Sequence, residues 1–458
     1  MTRKFLASRS PSGYNPFVMQ NEPAYQASLD YLYSFVDFSL TRGFLFAPEK
    51  FNLGRMFDLM AVLGNPHQAY PLIHIAGTKG KGSVSAMCAS VLQEAGYRVG
   101  FYSSPHLHDY TERIQVDQHP IAHMELVELV EEIKPFVAQI PALTTFEITT
   151  ALAFLYFARQ GVNAAVIEVG LGGRLDATNI VNPLVSVITS LSYDHMNILG
   201  STLSEIAREK AGIIKPGVPV VLAPQKEEAR LVIEGLAFER GSLLIQVGDD
   251  ILYQPLTHSI EEGQVFQVGL PSDTEPMRLE LPLLGSHQVD NAAVAYTALQ
   301  TAQSRGLSIS VSDIKEGFRK VRWPGRFEIL CRNPYLVVDS AHNRDSAQKL
   351  LQALEDYFPG KPVVMIFGAS EDKDIDGMFA ELLPRVCQLV ATRSFHPRAI
   401  EPEKLLEIAQ PYHIPIWNVE KVEDALDEAI RLAGEDALVL AAGSLFIAAA
   451  VRETWLSR

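Results

Sequence analysis

Residues 71–83 read Pro71-Leu72-Ile73-His74-Ile75-Ala76-Gly77-Thr78-Lys79-Gly80-Lys81-Gly82-Ser83. Pro71 to Ala76 is short and mostly apolar, the pattern of a strand covered on both faces. Ser83 to Ala95 then reads as a helix that stops at Gly96. Between them, glycines let the backbone curl so that its N–H groups can face an anion, and the helix N-terminus adds favourable partial charge. Lys81 is placed to reach the β- and γ-phosphates of a nucleotide. The hydroxyl of Thr78 or Ser83 is placed to reach phosphate or a metal-bound water. The loop departs from G-x-x-x-x-G-K-[ST], because Ile75 stands at the first glycine and Gly82 follows the lysine. The alternative reading is a tight strand-to-helix turn without a ligand.

Outward from this stretch, strand and helix signals alternate. Upstream, Tyr25 to Leu63 reads as helical, and residues 1–25, rich in Ser, Pro, Asn and Gln, read as a poorly ordered lead-in. Downstream, Val99–Tyr102, Ala164–Glu168, Val185–Thr189 and Val218–Leu222 read as strands, with helices at Phe146–Arg159, Ser204–Ala211 and Asn291–Gln303. This alternation predicts an α/β fold with a mainly parallel sheet. The texture at 243–284 changes to short alternating segments, a small β-rich elaboration. Val321-Arg322-Trp323-Pro324-Gly325-Arg326 punctuates the chain as a linker. Beyond it, strands at Tyr335–Asp339, Val363–Phe367, Gln388–Thr392 and Ala437–Ala441 predict a second, Rossmann-like α/β domain. The domain expectation is therefore 1–25 lead-in, 26–321 nucleotide-binding domain and 322–458 C-terminal domain.

The bulk numbers agree with a globular chain of two or three domains: 458 residues, 47% hydrophobic and 20% charged. A formal net charge of −15 argues against nucleic acid or an anionic membrane as partner. Cys88, Cys331 and Cys387 show neither disulfide nor zinc spacing, and buried free thiols in a reducing cytoplasm fit them. No signal peptide or membrane span is legible.

Hard oxygen ligands for magnesium are expected at strand ends. Glu168 ends a buried run and is followed by Val169-Gly170-Leu171-Gly172-Gly173. Asp194-His195 follows another strand, and a satisfied polar pair at a strand end is the competing reading. Glu209-Lys210 reads by itself as a solvated pair on a helix.

Together these segments resemble the folylpolyglutamate synthase/dihydrofolate synthase family of the Mur ligase superfamily. The resemblance runs through Gly77 to Ser83, Ser104-Pro105-His106-Leu107, Glu112-Arg113-Ile114 and Phe146-Glu147. It continues through Glu168 to Asn179, Asp194-His195, Glu209 to Ile213, Lys215-Pro216-Gly217 and His287-Gln288 with Asn291-Ala292-Ala293. Trp323-Pro324-Gly325-Arg326 and Asp339-Ser340-Ala341-His342-Asn343 complete it. Two positions depart: Lys79 stands where the family often has Asn, and Arg344 where it usually has Pro.

The resemblance implies a ligase that joins L-glutamate to a dihydropteroate or tetrahydrofolate-type carboxylate through an acyl phosphate, with ATP and Mg2+ and with K+ left open. It implies Ser104, Glu168 and His195 around magnesium, and Lys210 as a carbamylated lysine holding a second ion. Asn291, Arg326, Asp339 and His342 would contact ATP, and Phe146, Asp176 and Ala177 would line the pterin site. The residues implied for the chemistry are Lys81, Lys210 and His342. Trp323 to Gly325 would act as a hinge, and the chain would be a cytoplasmic monomer. Three rivals remain: a cell-wall Mur ligase, a P-loop kinase or nucleotide switch, and a non-catalytic nucleotide- or folate-binding protein. The second α/β domain and the retained Lys81, Glu168, His195, Lys210 and Arg326 argue against the last two. The Ser104 and Glu168–Asn179 segments favour the folate branch over the first.

Overall fold

The computed structural model describes residues 23–36, 52–394 and 396–458. Most of the expected lead-in lies outside these residues. The first sheet is built from β1 (Leu72–Ala76), β2 (Val99–Tyr102), β3 (Ile114–Val116), β4 (His119–Pro120), β5 (Ala164–Glu168), β6 (Val185–Ile188), β7 (Val220–Leu222) and β8 (Leu244–Gln246), in the order β4-β3-β2-β5-β1-β6-β7-β8. From β2 to β8 the pairings are parallel, and β3 and β4 add an antiparallel edge. The central strands are buried along their whole length, which is why they read as unbroken apolar runs rather than as alternating ones.

A small antiparallel sheet follows, from β9 (Leu252–Ser259), β10 (Gly263–Gly269) and β11 (Met277–Leu281), with β10 in the middle. The β-rich segment at 243–284 is thus divided, because β8 joins the first sheet and only β9 to β11 stand apart. The last sheet contains β12 (Glu328–Arg332), β13 (Tyr335–Val338), β14 (Val363–Phe367), β15 (Val386–Ala391), β16 (Ile416–Asn418) and β17 (Leu438–Ala442), in the order β12-β13-β17-β14-β15-β16. All its pairings are parallel except β12 with β13.

One helical expectation is corrected. Tyr25 to Leu63 is not one helix: a helix covers Pro23–Tyr33, residues 34–36 leave it, and a second helix covers Leu53–Val62. Val36 instead forms an isolated bridge to Thr144. Asn52 starts the second helix by accepting the Gly54 N–H, a side-chain N-cap. The helix expected at Ser83–Ala95 begins earlier, at Lys81, and runs to Glu94. Among the described residues no helix is long and apolar enough to cross a membrane.

Candidate active site

In the first sheet, β1 has β5 on one side and β6 on the other. The chain leaves β1 toward β2 and leaves β6 toward β7, so the crossovers diverge. A crevice opens at the carboxyl ends of β1 and β6, where open α/β sheets place ligands. The loop Gly77–Gly80 lies there. Its Thr78 and Lys79 N–H groups both donate to the Ser190 carbonyl beyond β6, at 3.0 and 3.1 Å. These two N–H groups are therefore committed to holding the loop. The N–H groups of Lys81, Gly82 and Ser83 also remain for an anion, because the first turn of the helix has no intrahelical acceptor for them.

Gly80 caps that helix with φ +85°, and a Cβ there would stand 2.1 Å from Asn291 Oδ1. Asn291 is buried and donates to Gln288 Oε1 at 3.1 Å, so it is not free to yield. Gly82 leaves room for the Trp323 indole, which a Cβ would approach to 2.7 Å. Thr189 closes the loop from beneath, its hydroxyl donating to the Lys79 carbonyl at 2.7 Å.

The charged groups form two linked sets. In the first, Lys81 Nζ lies 4.0 Å from Glu168 Oε1, both largely buried. Burial pushes the Glu168 carboxyl up to about 7, against the opposing pull of Lys81, Arg326 and the Ser104 N–H. Lys210 is buried on the helix Leu203–Lys210 and donates to the Gly77 carbonyl at 2.8 Å. Burial, then Lys81, lowers its ammonium to about 7. It is thus not the solvated residue that the Glu-Lys pair suggests: Glu209 points out to Arg174, while Lys210 points in.

In the second set, Lys79 Nζ lies 3.3 Å from His342 Nε2 and 3.6 Å from Asp194 Oδ2. His342 Nδ1 lies 2.9 Å from the Ser340 carbonyl, which assigns its proton to Nδ1 and leaves Nε2 to accept from Lys79. Its 3.9 Å separation from Asp194 is too long for a hydrogen bond. Burial lowers His342 to about 4, and Lys79 adds to the effect. Burial alone would raise Asp194, but Lys79 at 3.6 Å and Lys373 outweigh it and hold the carboxyl below its usual range. This set joins the loops of β1, β6 and β13.

Arg326 acts electrostatically on both Glu168 and Asp339, and so bridges the two sheets. Asp339 accepts the Phe327 and Ala341 N–H groups, each at 2.8 Å. The expected pterin residues cluster beside β5. A Cβ on Gly170 would meet the Phe146 ring at 2.4 Å, and Asp176 accepts the Leu171 N–H at 2.9 Å with Ala177 next to it in the chain. His195 is the outlier. It sits at φ +49° with its side chain 47% exposed, and its recorded pairing is with Asp194 at 3.9 Å.

Glu168 and the Ser104 hydroxyl are hard oxygen donors, and magnesium takes few protein ligands beside phosphate and water. No group of three or more His, Cys, Asp or Glu gathers for a metal among the described residues. Glu168 and Ser104 fit an ion that takes few protein ligands and completes its shell with phosphate and water.

The pattern of the Mur ligase middle domain matches residues 75–299, and that of the Mur ligase glutamate ligase domain matches residues 325–445. The chain is 36% identical over 439 residues to the Bacillus subtilis dihydrofolate synthase/folylpolyglutamate synthase, covering 94% of this chain and 99% of that one. It belongs to the folylpolyglutamate synthase/dihydrofolate synthase family. Among solved structures of this family, it is similar to Mycobacterium tuberculosis folylpolyglutamate synthase complexed with ADP, at a TM-score of 0.85 and 32% identity, covering 96% of this chain and 99% of that one. It is also similar to an Escherichia coli family member in complex with DHPP and ADP, at a TM-score of 0.83 and 32% identity, covering 95% and 98%.

In this family member, sequence reasoning missed two residues near the crevice. Lys373 acts on Asp194, His195 and His342, yet in Glu371-Asp372-Lys373-Asp374 it reads as one charge among solvated acids. His74 lies inside β1 and is fully buried. Its signal was a lone imidazole in an otherwise apolar strand.

Proposed function

We propose that this chain is an ATP-dependent carboxylate–amine ligase that adds L-glutamate to a folate or dihydropteroate carboxylate. The observation that carries it is the convergence of Lys81–Glu168 with Lys79–His342–Asp194 across the two α/β sheets, at the crevice of the first. Carboxylates and amines do not condense unaided at neutral pH. The folate carboxylate oxygen attacks the γ-phosphorus of ATP, giving an acyl phosphate and ADP. The glutamate amine then attacks the acyl carbon, phosphate leaves, and the amine releases its proton. The first step is phosphoryl transfer, so positioning and charge neutralisation carry most of it.

The first-turn N–H groups of Lys81, Gly82 and Ser83, with the Lys81 ammonium, hold the phosphate chain. Arg326 presents a planar fork suited to two phosphate oxygens. Asp339 fixes the Arg326–Phe327 turn, and His342, neutral, holds the Lys79 ammonium at Nε2. Asn291 backs the Gly80 turn from beneath. Ser104, Glu168 and His195 would hold Mg2+, which supplies Lewis-acid neutralisation of the transferring phosphoryl group when bound. Carbamylation of Lys210 belongs to the same reading. An amine lowered to about 7 is substantially neutral at physiological pH and therefore nucleophilic toward carbon dioxide. Phe146, Asp176 and Ala177 line the pterin subsite. The domains are read as 26–321 and 322–458, acting as a cytoplasmic monomer.

The test is ADP release and product mass with ATP, magnesium and glutamate, offering dihydropteroate and tetrahydrofolate separately. Release with both makes the enzyme bifunctional, and release with one assigns the branch. Release with neither, in protein shown to bind ATP, overturns the folate reading.

A further inference from the structure

β1 leads directly into the phosphate loop, and four of its five residues are apolar. The exception is His74, which is fully buried. Its Nε2 lies 2.9 Å from Thr178 Oγ1. The Thr178 hydroxyl donates to Asp176 Oδ1 at 2.5 Å, and the Thr178 N–H donates to the same oxygen at 3.0 Å. A hydroxyl has one proton, so Thr178 spends its own on Asp176 and accepts from His74. This assigns the His74 proton to Nε2. Nδ1 is then a bare acceptor, buried and without a partner among the described residues.

An unpartnered buried nitrogen costs stability, and an aliphatic side chain at this position would carry no such cost. Packing therefore gives no reason for the imidazole, whereas the chain that starts from it does. It runs from His74 through Thr178 to Asp176, whose other oxygen accepts the Leu171 N–H at 2.9 Å. The neighbouring Gly170 packs against the Phe146 ring. Each link is buried, with Thr178 at 0% and Asp176 at 6% exposure.

We propose that His74 is a positioning residue for the pterin subsite, acting through Thr178 to fix the Asp176 carboxylate and the Gly170–Leu171 turn. The inference rests on the folate-ligase reading above. His74 touches no substrate; it orients the groups that do. A charge-assisted hydrogen bond and its donor chain stand behind one carboxylate, so their loss loosens pterin binding and leaves the nucleotide loop in place.

The test compares full-length wild type with His74→Leu, His74→Gln, Thr178→Val and Thr178→Ser in steady-state ligation. The Gln amide can return a donor near the Nε2 position, and Ser keeps the hydroxyl. Expected are a rise of about tenfold in KM for the pterin substrate in His74→Leu and Thr178→Val, an ATP KM within about twofold of wild type, and recovery in His74→Gln and Thr178→Ser. If His74→Leu fails to fold, the Thr178 pair carries the same comparison. An unchanged pterin KM, equal rises for ATP and pterin, or no recovery in the conservative variants overturns the relay. Wild type that turns over neither pterin overturns the ligase reading and this one with it. Active wild type with an unaffected Leu variant overturns this one alone.

Discussion

The two α/β sheets are alike in plan and opposite in what they offer an anion. After β1, the glycine loop leaves the first turn of the helix Lys81–Glu94 open to a ligand. After β13, the loop Ser340–Asn343 contains no glycine, and its backbone donors are already taken. Ser340 N–H goes to the Gly325 carbonyl at 3.1 Å. Ala341 N–H goes to Asp339, and those of His342 and Asn343 go to Ser346 Oγ at 3.0 and 3.1 Å. The first sheet therefore presents backbone, and the second presents side chains held out by a self-satisfied loop. On the function proposed above, a ligand between them would be cradled by backbone from one side and clamped by side chains from the other.

The sharpest way to break this contrast is Lys81→Ala. If the first sheet holds the transferring phosphate, kcat falls by about 100-fold or more, the usual effect of deleting one transition-state charge partner. The melting temperature changes little by comparison, because the Lys81–Glu168 pair at 4.0 Å adds a charge contact rather than packing. Steady-state kinetics beside a thermal melt decides it, and a loss below fivefold would move the phosphate away from this loop.

Gly80→Ala tests the backbone itself. At φ +85° an alanine costs about 1–2 kcal/mol, before its Cβ meets Asn291. ATP KM is expected to rise about tenfold while the pterin KM stays, because strain displaces the first-turn donors by fractions of an ångström. Nucleotide binding by calorimetry reads this directly. Ser346→Ala is the counterpart on the second sheet, since it frees the His342 and Asn343 N–H groups from their shared acceptor. The expected ATP KM increase is about threefold, the worth of one or two partly exposed hydrogen bonds. An effect larger than that of Gly80→Ala would reverse the assignment of cradle and clamp.

The first sheet was legible because both of its signals are local. Unbroken apolar runs mark strands covered on two faces, and glycines mark the turn between β1 and its helix. The antiparallel edge β3–β4 carried no such signal, being three and two residues long. Lys210 is placed at the site by the resemblance alone, because Glu209-Lys210 has the same local chemistry whether it faces water or the crevice. Only the fold turns Lys210 inward to the Gly77 carbonyl. Lys373 was hidden for the converse reason: its acidic neighbours on the chain suggest solvent, while its partners Asp194 and His342 lie more than 30 residues away in sequence. Asp339 and Arg326 came from the resemblance, and no spacing rule links them to Glu168.

The contrast extends to the histidine in the second loop and the one in the strand before the first, where the smallest effect on turnover is expected. His342 keeps its side chain 32% exposed, while His74 is sealed inside β1. Burial, aided by Lys215, lowers His74 from 6.5 to about 3. The sign follows from linkage. Above 6.5 the imidazole is neutral in both folded and unfolded chains and contributes no pH dependence. Below 6.5 the unfolded chain takes up a proton that the folded one refuses. Stability is therefore lost as pH falls from 6.5 toward 3, by about 1.4 kcal/mol for each pH unit from this residue. His74→Gln removes the titration and keeps a donor toward Thr178. Its melting temperature should decline less steeply than wild type between pH 6.5 and pH 4.5, with the two curves parallel above 6.5. Other buried histidines, His106 and His287 among them, slope both curves alike, so the difference between the curves isolates His74. Parallel curves throughout would mean that the folded imidazole takes up its proton over the same pH range as the unfolded one, and then Nδ1 must have a partner and Thr178 need not be its acceptor.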